Sequence, residues 1–368
     1  MCRIQFWRDP HSAFFQSETI YEPSYSILRT GEALRLVRQA DTSQTTAQPD
    51  PLLCSAFVTV KREPVQYLAK SVGSLLEGLY PEERNSLYLH VLFANTEPAV
   101  HPDWKAQWVE NLVDVAEGYN ASKEELEILR KVEIERNFYI KGVCRALSPA
   151  ICSSVPTNYH SDYVYVLKRC MDTTAPYILV AEDDNIFVDG WMTKTLDALR
   201  HLRETVTQPW LYLRLFYTET ALRWDERFDF WYANMPLAFG LTMLSTFTVL
   251  YVVRQKLPSS QAHLDNYTIA LVCLITVPAF TALIFMIGKY SLHPLRGVVK
   301  MNKAGCCTQA MVYPRTQAPA LIKFLEDRNN GQTDSLIEEY ADIAGLDRFA
   351  LAPQVVHISV YIQVETIH

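Results

Sequence analysis

Two apolar runs constrain this 368-residue chain more than any other feature: residues 235–253 and 267–288 contain no charged side chain. At about 1.5 Å per residue, a helix over either run is long enough to cross a ~30 Å hydrocarbon core. A helix in a soluble core usually breaks such a run with polar residues along one face, and these runs are not broken that way. The stretch between them holds Arg254, Lys256, Pro258, Ser259, Ser260 and Asp265, a polar connector of the size that joins antiparallel helices. Residues 235–288 are therefore expected to form a transmembrane helical hairpin, with a buried hairpin in a soluble core as the plainer alternative. Pro278 falls inside the second run and predicts a kink of the kind membrane helices tolerate.

Composition points the same way, with 49% hydrophobic residues and 20% charged ones against a usual quarter. A net charge of −7 offers no diffuse basic field for a polyanion, so nucleic acid is not an expected partner. The eight cysteines show neither a CxxC pair nor the histidine spacing of a zinc site, which argues against metal held by sulfur. They suit an oxidising compartment or buried thiols equally. Cys144 and Cys152, flanking Pro149, are a candidate bridge, and the connectivity stays open.

Orientation in a bilayer is not decided by the basic flanks. Arg254 and Lys256 in the connector are matched by Arg223, Arg227, Lys289 and Arg296 outside it. Glycosylation sequons begin at Asn120 and Asn266, and if the hairpin spans, only one of them faces the lumen. The opening residues, MCRIQFWRDPHSAFF, hold neither a signal-peptide stretch nor a spanning helix. Either the large domain is cytosolic or an upstream anchoring helix is missing from this chain, and the second is the expectation adopted.

Residues 1–50 read as a lead-in or stem, because 21–50 are rich in Ser, Thr, Gln and Pro with little periodicity. From residue 51, apolar runs alternate with helical patterns: strands at 54–60 and 87–93, helices at 64–79 and 104–117, a helix near 161–171, a strand at 177–181, a helix at 191–204 and a strand at 210–216. Beyond the hairpin come a strand at 306–313, helices at 318–327 and 334–344, and a terminal strand at 354–364. This alternation predicts an α/β domain with a mainly parallel sheet. The later pieces are too few to stand alone. Residues 51–234 and 289–368 are thus expected to share one sheet, interrupted by the hairpin and held near the bilayer.

An acidic triplet, Glu182-Asp183-Asp184, follows the apolar run Tyr177-Ile178-Leu179-Val180-Ala181, just past a buried strand, where open α/β sheets bind ligands. Crowded carboxylates repel unless a cation neutralises them, and oxygen ligands suit Mg²⁺ or Mn²⁺. Such an ion bridges the diphosphate of a nucleotide sugar as the glycosidic bond breaks. Composition alone supplies roughly half such a triplet by chance, so a solvated turn remains the alternative. In DSLIEEY, Asp334 and Glu338 share a helix face while Glu339 points about 100° away. A carboxylate among these three is a candidate base for an acceptor hydroxyl, and a favourable negative charge in a first helical turn is the bland alternative. Lys61 and Arg62 follow the first strand and could meet phosphate. His357 is a secondary metal or phosphate contact, or a core histidine.

TVKRE at 59–63, SDYVYVLKRC, YILVAEDDNIF, the split by two apolar runs, GCCTQAMVYPR, DSLIEEYAD and VVHIS together resemble the Golgi transferases that add N-acetylgalactosamine to glycosylphosphatidylinositol (GPI) anchors. A more distant likeness is to the N-acetylglucosaminyltransferase IV group, which shares TVKRE and the acidic triplet without the hairpin. The resemblance implies a GT-A-like (Rossmann-like) fold, UDP-GalNAc as donor, Mn²⁺ (or Mg²⁺), and inverting transfer to the first mannose of an anchor glycan on a GPI-anchored protein. It implies a Golgi membrane protein with a luminal catalytic domain and an amino-terminal anchor. Carried onto these motifs, Thr59, Lys61, Arg62, Asp162, Glu182 and Asp183 are the expected donor contacts, and Asp184, Asp183 and His357 the expected metal contacts. The terminal segment departs from the family's ending, which weakens His357. Another UDP-sugar such as UDP-GlcNAc, a membrane phosphodiesterase and a noncatalytic membrane scaffold are the competing readings.

Overall fold

The computed structural model describes residues 24–40, 50–120, 160–217, 224, 229–287, 295–302, 305, 307–328 and 331–358. The chain divides into two compact units, one including Glu219–Leu295 and the other comprising Glu22–Thr218 with Arg296–His368.

The larger unit is mixed α/β around one large sheet. Its strands are β1 (Leu53–Thr59), β2 (Leu87–Phe93), β3 (Val115–Glu117), β4 (Tyr177–Glu182), β6 (Trp210–Arg214), β7 (Gly297–Lys300), β8 (Ala310–Pro314) and β9 (Asp347–Ala352), in the order β3-β2-β1-β4-β8-β6-β9-β7. β5 (Asn185–Phe187) and β10 (Val356–Ile358) form a separate antiparallel pair. Strands from both sides of residues 219–295 share the large sheet, as β8 pairs with β4 and β6.

The sheet is mainly parallel, as expected, with six of its eight strands running one way and β8 and β7 reversed. β3, β2, β1 and β4 run parallel, as do β6 and β9, but β8 is antiparallel to both its neighbours and β7 is antiparallel to β9. Parallel neighbours need a long crossover, usually helical, and the Leu68–Leu76 helix lies in the one from β1 to β2.

The central strands are nearly continuous apolar runs because both faces are covered. Leu53, Phe57, Leu89, Val91, Leu179 and Ala181 pack with Leu68, Val72 and Leu75 of the Leu68–Leu76 helix and with Trp191, Leu199 and Leu202 of the Trp191–Thr205 helix. Each such Leu or Phe contributes about 1.5–3 kcal/mol relative to exposure. A disulfide from Cys54 on β1 to Cys170 on the His160–Met171 helix closes a loop of 116 residues. Loop closure of that size is worth about 4–5 kcal/mol on a chain-entropy view. The Cys144–Cys152 candidate lies outside the described residues.

Two local expectations change. Residues 104–117 are not one helix: a short helix, Gln107–Leu112, gives way to β3. The Asp114 carboxylate accepts from Leu89 N at 2.7 Å and from Arg84, which pins the chain against β2. Within the expected stem, Ser24–Ala40 is a helix that buries Ala33, Val37 and Ala40. It comes so close to the Leu68–Leu76 helix that a Cβ on Gly73 would lie 2.5 Å from the Ala33 carbonyl oxygen. Its buried Arg29 donates to the carbonyls of Phe187, Ser74 and Glu77. β9 was not anticipated. The terminal strand is the short β10, and residues 359–364 lie outside the described residues.

In the smaller unit, Met235–Lys256 and Asn266–Met286 are helices long and apolar enough to cross a membrane. They run antiparallel, with Thr242 Oγ1 3.2 Å from Thr281 Oγ1 and the Phe239 and Phe285 rings stacked. Large side chains stay exposed, Leu244 by 62% and Leu274 by 65%. At the start of the second helix the Asp265 carboxylate accepts from Thr268 N at 2.8 Å. Just before Pro278 the helix widens into a π turn, Val272–Thr276, in which Val277 N reaches back to Val272 O. A proline ring crowds the carbonyl four residues earlier and offers no N–H, and a wider turn relieves that crowding.

Candidate functional site

β1 and β4 lie side by side, with Val58 level with Glu182, so their carboxyl ends finish abreast. Thr59 closes β1, Glu182 closes β4, and Asp183-Asp184 turn the chain into β5. The three carboxylates face different partners. Asp183 is buried, with Oδ2 accepting from Thr59 Oγ1 at 2.8 Å and Oδ1 from Arg62 Nη2 at 2.6 Å. Its carbonyl accepts from Ser71 Oγ at 2.6 Å. Glu182 accepts from Thr308 Oγ1 at 2.7 Å, and its N–H donates to Gln309 O at 2.9 Å. Asp184 Oδ1 is buried and accepts no hydrogen bond among the described residues.

Burial is the largest influence on all three acids and pushes each upward. Glu182 reaches about 7, helped by the charges of Asp184 and Asp183 and opposed by Thr308 and Arg62. Asp183 is raised by burial against the pull of Arg62 and Thr59, and Asp184 by burial against Arg62. Burial opposes the Arg62 charge, yet Asp183, Asp184 and Glu182 outweigh it and raise Arg62.

Whether these residues fit a divalent cation turns on ligand count. Among the described residues, no three His, Cys, Asp or Glu side chains converge as an ion cage. Asp183 already has a donor on each oxygen, whereas the buried Asp184 Oδ1 is an orphan acceptor. Mg²⁺-like ions are commonly held by one or two carboxylates together with substrate phosphates. The cluster fits that mode, centred on Asp184, and not an all-protein cage.

The remaining candidates are placed as follows. Lys61 Nζ turns to Glu63 at 3.6 Å while its backbone N donates to Asn95 Oδ1. Asp162 is buried in the first turn of the His160–Met171 helix and accepts from Tyr119 OH, just past β3. His357 sits opposite Ile186 on β10, its ring 5.7 Å from that of Tyr25 and its Nδ1 3.5 Å from Ser26 Oγ. Glu338 is buried on the Thr333–Ile343 helix between two arginines: Oε1 lies 2.9 Å from Arg214 Nη2 and accepts from Tyr212 OH at 2.6 Å, and Oε2 lies 3.0 Å from Arg348 Nε. Glu339 is exposed and pairs with Arg328. Asp334, in the helix's first turn, accepts from Cys307 N at 3.2 Å and Ser335 N at 2.7 Å.

The chain from Gly305 to Gln309 ties these groups together. Cys307 meets Asp334 and Arg214, and its neighbour Thr308 meets Glu182. The Arg214 guanidinium lies so close beneath Gly305 that an added Cβ would fall 2.8 Å from Nη2. Arg214, Thr308 and His101 were not singled out from sequence. Arg214 ends the apolar run WLYLR, and a charge closing a buried strand is the one local signal that marked it.

The sheet and this edge define a mixed α/β protein whose candidate ligand site lies at the carboxyl ends of adjacent parallel strands. The chain belongs to the family described as GPI-N-acetylgalactosamine transferase PGAP4, whose model matches residues 53–357. It is a family of glycosyltransferases acting on GPI, so a sugar donor and a GPI glycan acceptor are implied. A comparison with curated proteins found no match.

Proposed function

We propose that this protein transfers N-acetylgalactosamine from UDP-GalNAc to the first mannose of a GPI-anchor glycan, with the donor diphosphate seated at the ends of β1 and β4. The observation that carries this is Asp184 Oδ1, a buried carboxylate oxygen without a partner among the described residues, beside the charged Arg62. A buried acceptor left unmade costs about 1–3 kcal/mol, more when charged, and a cation arriving with the donor phosphates relieves it. A Mn²⁺ or Mg²⁺ ion bound there supplies charge neutralisation to the departing nucleoside diphosphate. Arg62 adds a fixed positive charge on the same side, and Asp183 serves to hold it.

Inverting transfer forms one bond from the acceptor oxygen to the sugar carbon as the bond to the diphosphate breaks, and the hydroxyl proton needs a base. Asp334 is the best-placed candidate of the three. Glu338 is clamped between the Arg214 and Arg348 guanidiniums, and Glu339 is paired on the exterior. Asp334 is partly exposed and joined to the acidic cluster through Cys307 and Thr308.

In this reading the larger unit, Glu22–Thr218 with Arg296–His368, is a GT-A-like domain in two parts, with other bounds than the 51–234 and 289–368 expected from sequence, and the two apolar helices are a transmembrane hairpin. The Cys54–Cys170 disulfide supports a luminal setting, since such bonds persist in oxidising compartments. Tethering the domain to the bilayer raises its encounter frequency with a lipid-linked glycan. The test is UDP release by purified protein with UDP-GalNAc, UDP-GlcNAc and UDP-Gal, with and without anchor-like mannosides. Mannoside-stimulated release with UDP-GalNAc above the others supports the proposal, and preference for UDP-GlcNAc overturns its donor.

A further inference from the structure

His101 belongs to no motif, yet it sits directly behind the acidic cluster. Its side chain is fully buried, its ring is edge-on to Phe93 at 5.0 Å, and its Nε2 is 3.2 Å from Thr59 Oγ1. Hydrogen-bond directions at both ends of the ring assign its tautomer. Thr59 has one hydroxyl proton, and that proton is committed to Asp183 Oδ2 at 2.8 Å. The Thr59–His101 contact therefore requires Nε2 to donate. At the other edge, Asp103 N donates to Nδ1 at 3.1 Å, which requires Nδ1 to be bare. Two independent contacts thus demand the same neutral form, and burial favours it by pushing His101 down to about 4.

We infer that His101 is a positioning residue for the donor site, acting through Thr59 to fix the Asp183 carboxylate. The chain of donors runs from His101 Nε2 to Thr59 Oγ1 to Asp183 Oδ2, while Arg62 holds Oδ1 from the opposite side. By occupying the acceptor side of the Thr59 hydroxyl, His101 restricts where its proton can point. Asp183 is thereby held at both oxygens, which fixes the turn that carries Asp184 and its unpartnered, buried oxygen. This inference rests on the proposed donor site.

The test uses full-length protein in detergent and a calorimetric titration with UDP in the presence of Mn²⁺, beside steady-state kinetics. His101→Phe keeps a ring against Phe93 but removes the donor, whereas His101→Gln keeps an amide donor and loses the ring. The expected result is UDP affinity weakened on the order of tenfold in H101F and largely restored in H101Q, with KM for the donor moved more than kcat. H101F combined with Thr59→Val should weaken binding no further than T59V alone, because both break one chain. A purely packing role predicts the reverse order, with H101F near wild type and H101Q impaired, and that order overturns the inference. Asp184→Asn separates the two levels. If D184N binds UDP with Mn²⁺ as wild type does, the donor-site proposal fails. If D184N loses binding while H101F does not, only the role of His101 fails.

Discussion

Arg62 Nη2 lies 2.6 Å from Asp183 Oδ1, joining residues 121 positions apart at the ends of two neighbouring strands. The carboxylate is 2% exposed and the guanidinium 36%, so the pair is buried on one side and open on the other. Removing the arginine strands a buried acid that keeps only Thr59 on its carboxylate. Arg62→Ala is expected to cost about 1–3 kcal/mol of stability and to lower donor turnover at least tenfold. Arg62→Lys should recover the fold better than the turnover. Thermal unfolding and UDP release, measured on the same preparations, check this.

Glu182 makes stability depend on pH in a direction opposite to that of a salt-bridged acid. Its folded value, about 7, lies above the ordinary glutamate value of 4.5, so between those limits the folded state holds more protons than the unfolded one. Its contribution is therefore lost as pH rises from about 4.5 to 7, and the penalty is constant above. In the presence of a chelator, Glu182→Gln should melt above wild type at pH 8, with the gap shrinking toward pH 5. A gap that widens on acidification contradicts the assignment.

The helix carrying DSLIEEY offers two separable outcomes. Glu338→Gln leaves Arg214 and Arg348 without their shared anion and should destabilise the fold by about 3–5 kcal/mol. Asp334→Asn is nearly isosteric and partly exposed, so it should leave the melting temperature within about 1–2 °C while lowering transfer by a factor of roughly 100. Equal melting losses in both variants, with transfer retained in D334N, would remove Asp334 from the chemistry.

Much of this fold was legible because single stretches carried it. Residues 87–93 form an apolar run broken only by His90, and the strand Leu87–Phe93 coincides with it. The Trp191–Thr205 helix shows its buried face through Trp191, Thr195, Ala198, Leu199 and Leu202 at helical spacing. The Ser24–Ala40 helix was obscure because its buried face consists of small residues and an arginine, which blurs any apolar period. The acidic edge announced itself by following YILVA. Its support did not, since Arg214 meets Glu338 across 124 residues and His101 meets Thr59 across 42, and no local pattern encodes such pairings.

The disulfide and the sequons test topology together. If the Cys54–Cys170 unit is luminal and the two apolar helices span, Asn120 faces the lumen and Asn266 the cytosol. Asn120→Gln should abolish an endoglycosidase-sensitive mobility shift on gels, and Asn266→Gln should leave it unchanged. Glycan loss in N266Q instead would invert the orientation.

The most direct measurement is uptake of Mn²⁺ by the purified protein, followed as loss of the free-ion signal in electron paramagnetic resonance, with and without UDP. Wild-type protein should take up about one ion per chain when UDP is present and much less without it, and Asp184→Asn should take up almost none. Equal uptake by D184N, or uptake indifferent to UDP, contradicts a donor diphosphate bound through Asp184.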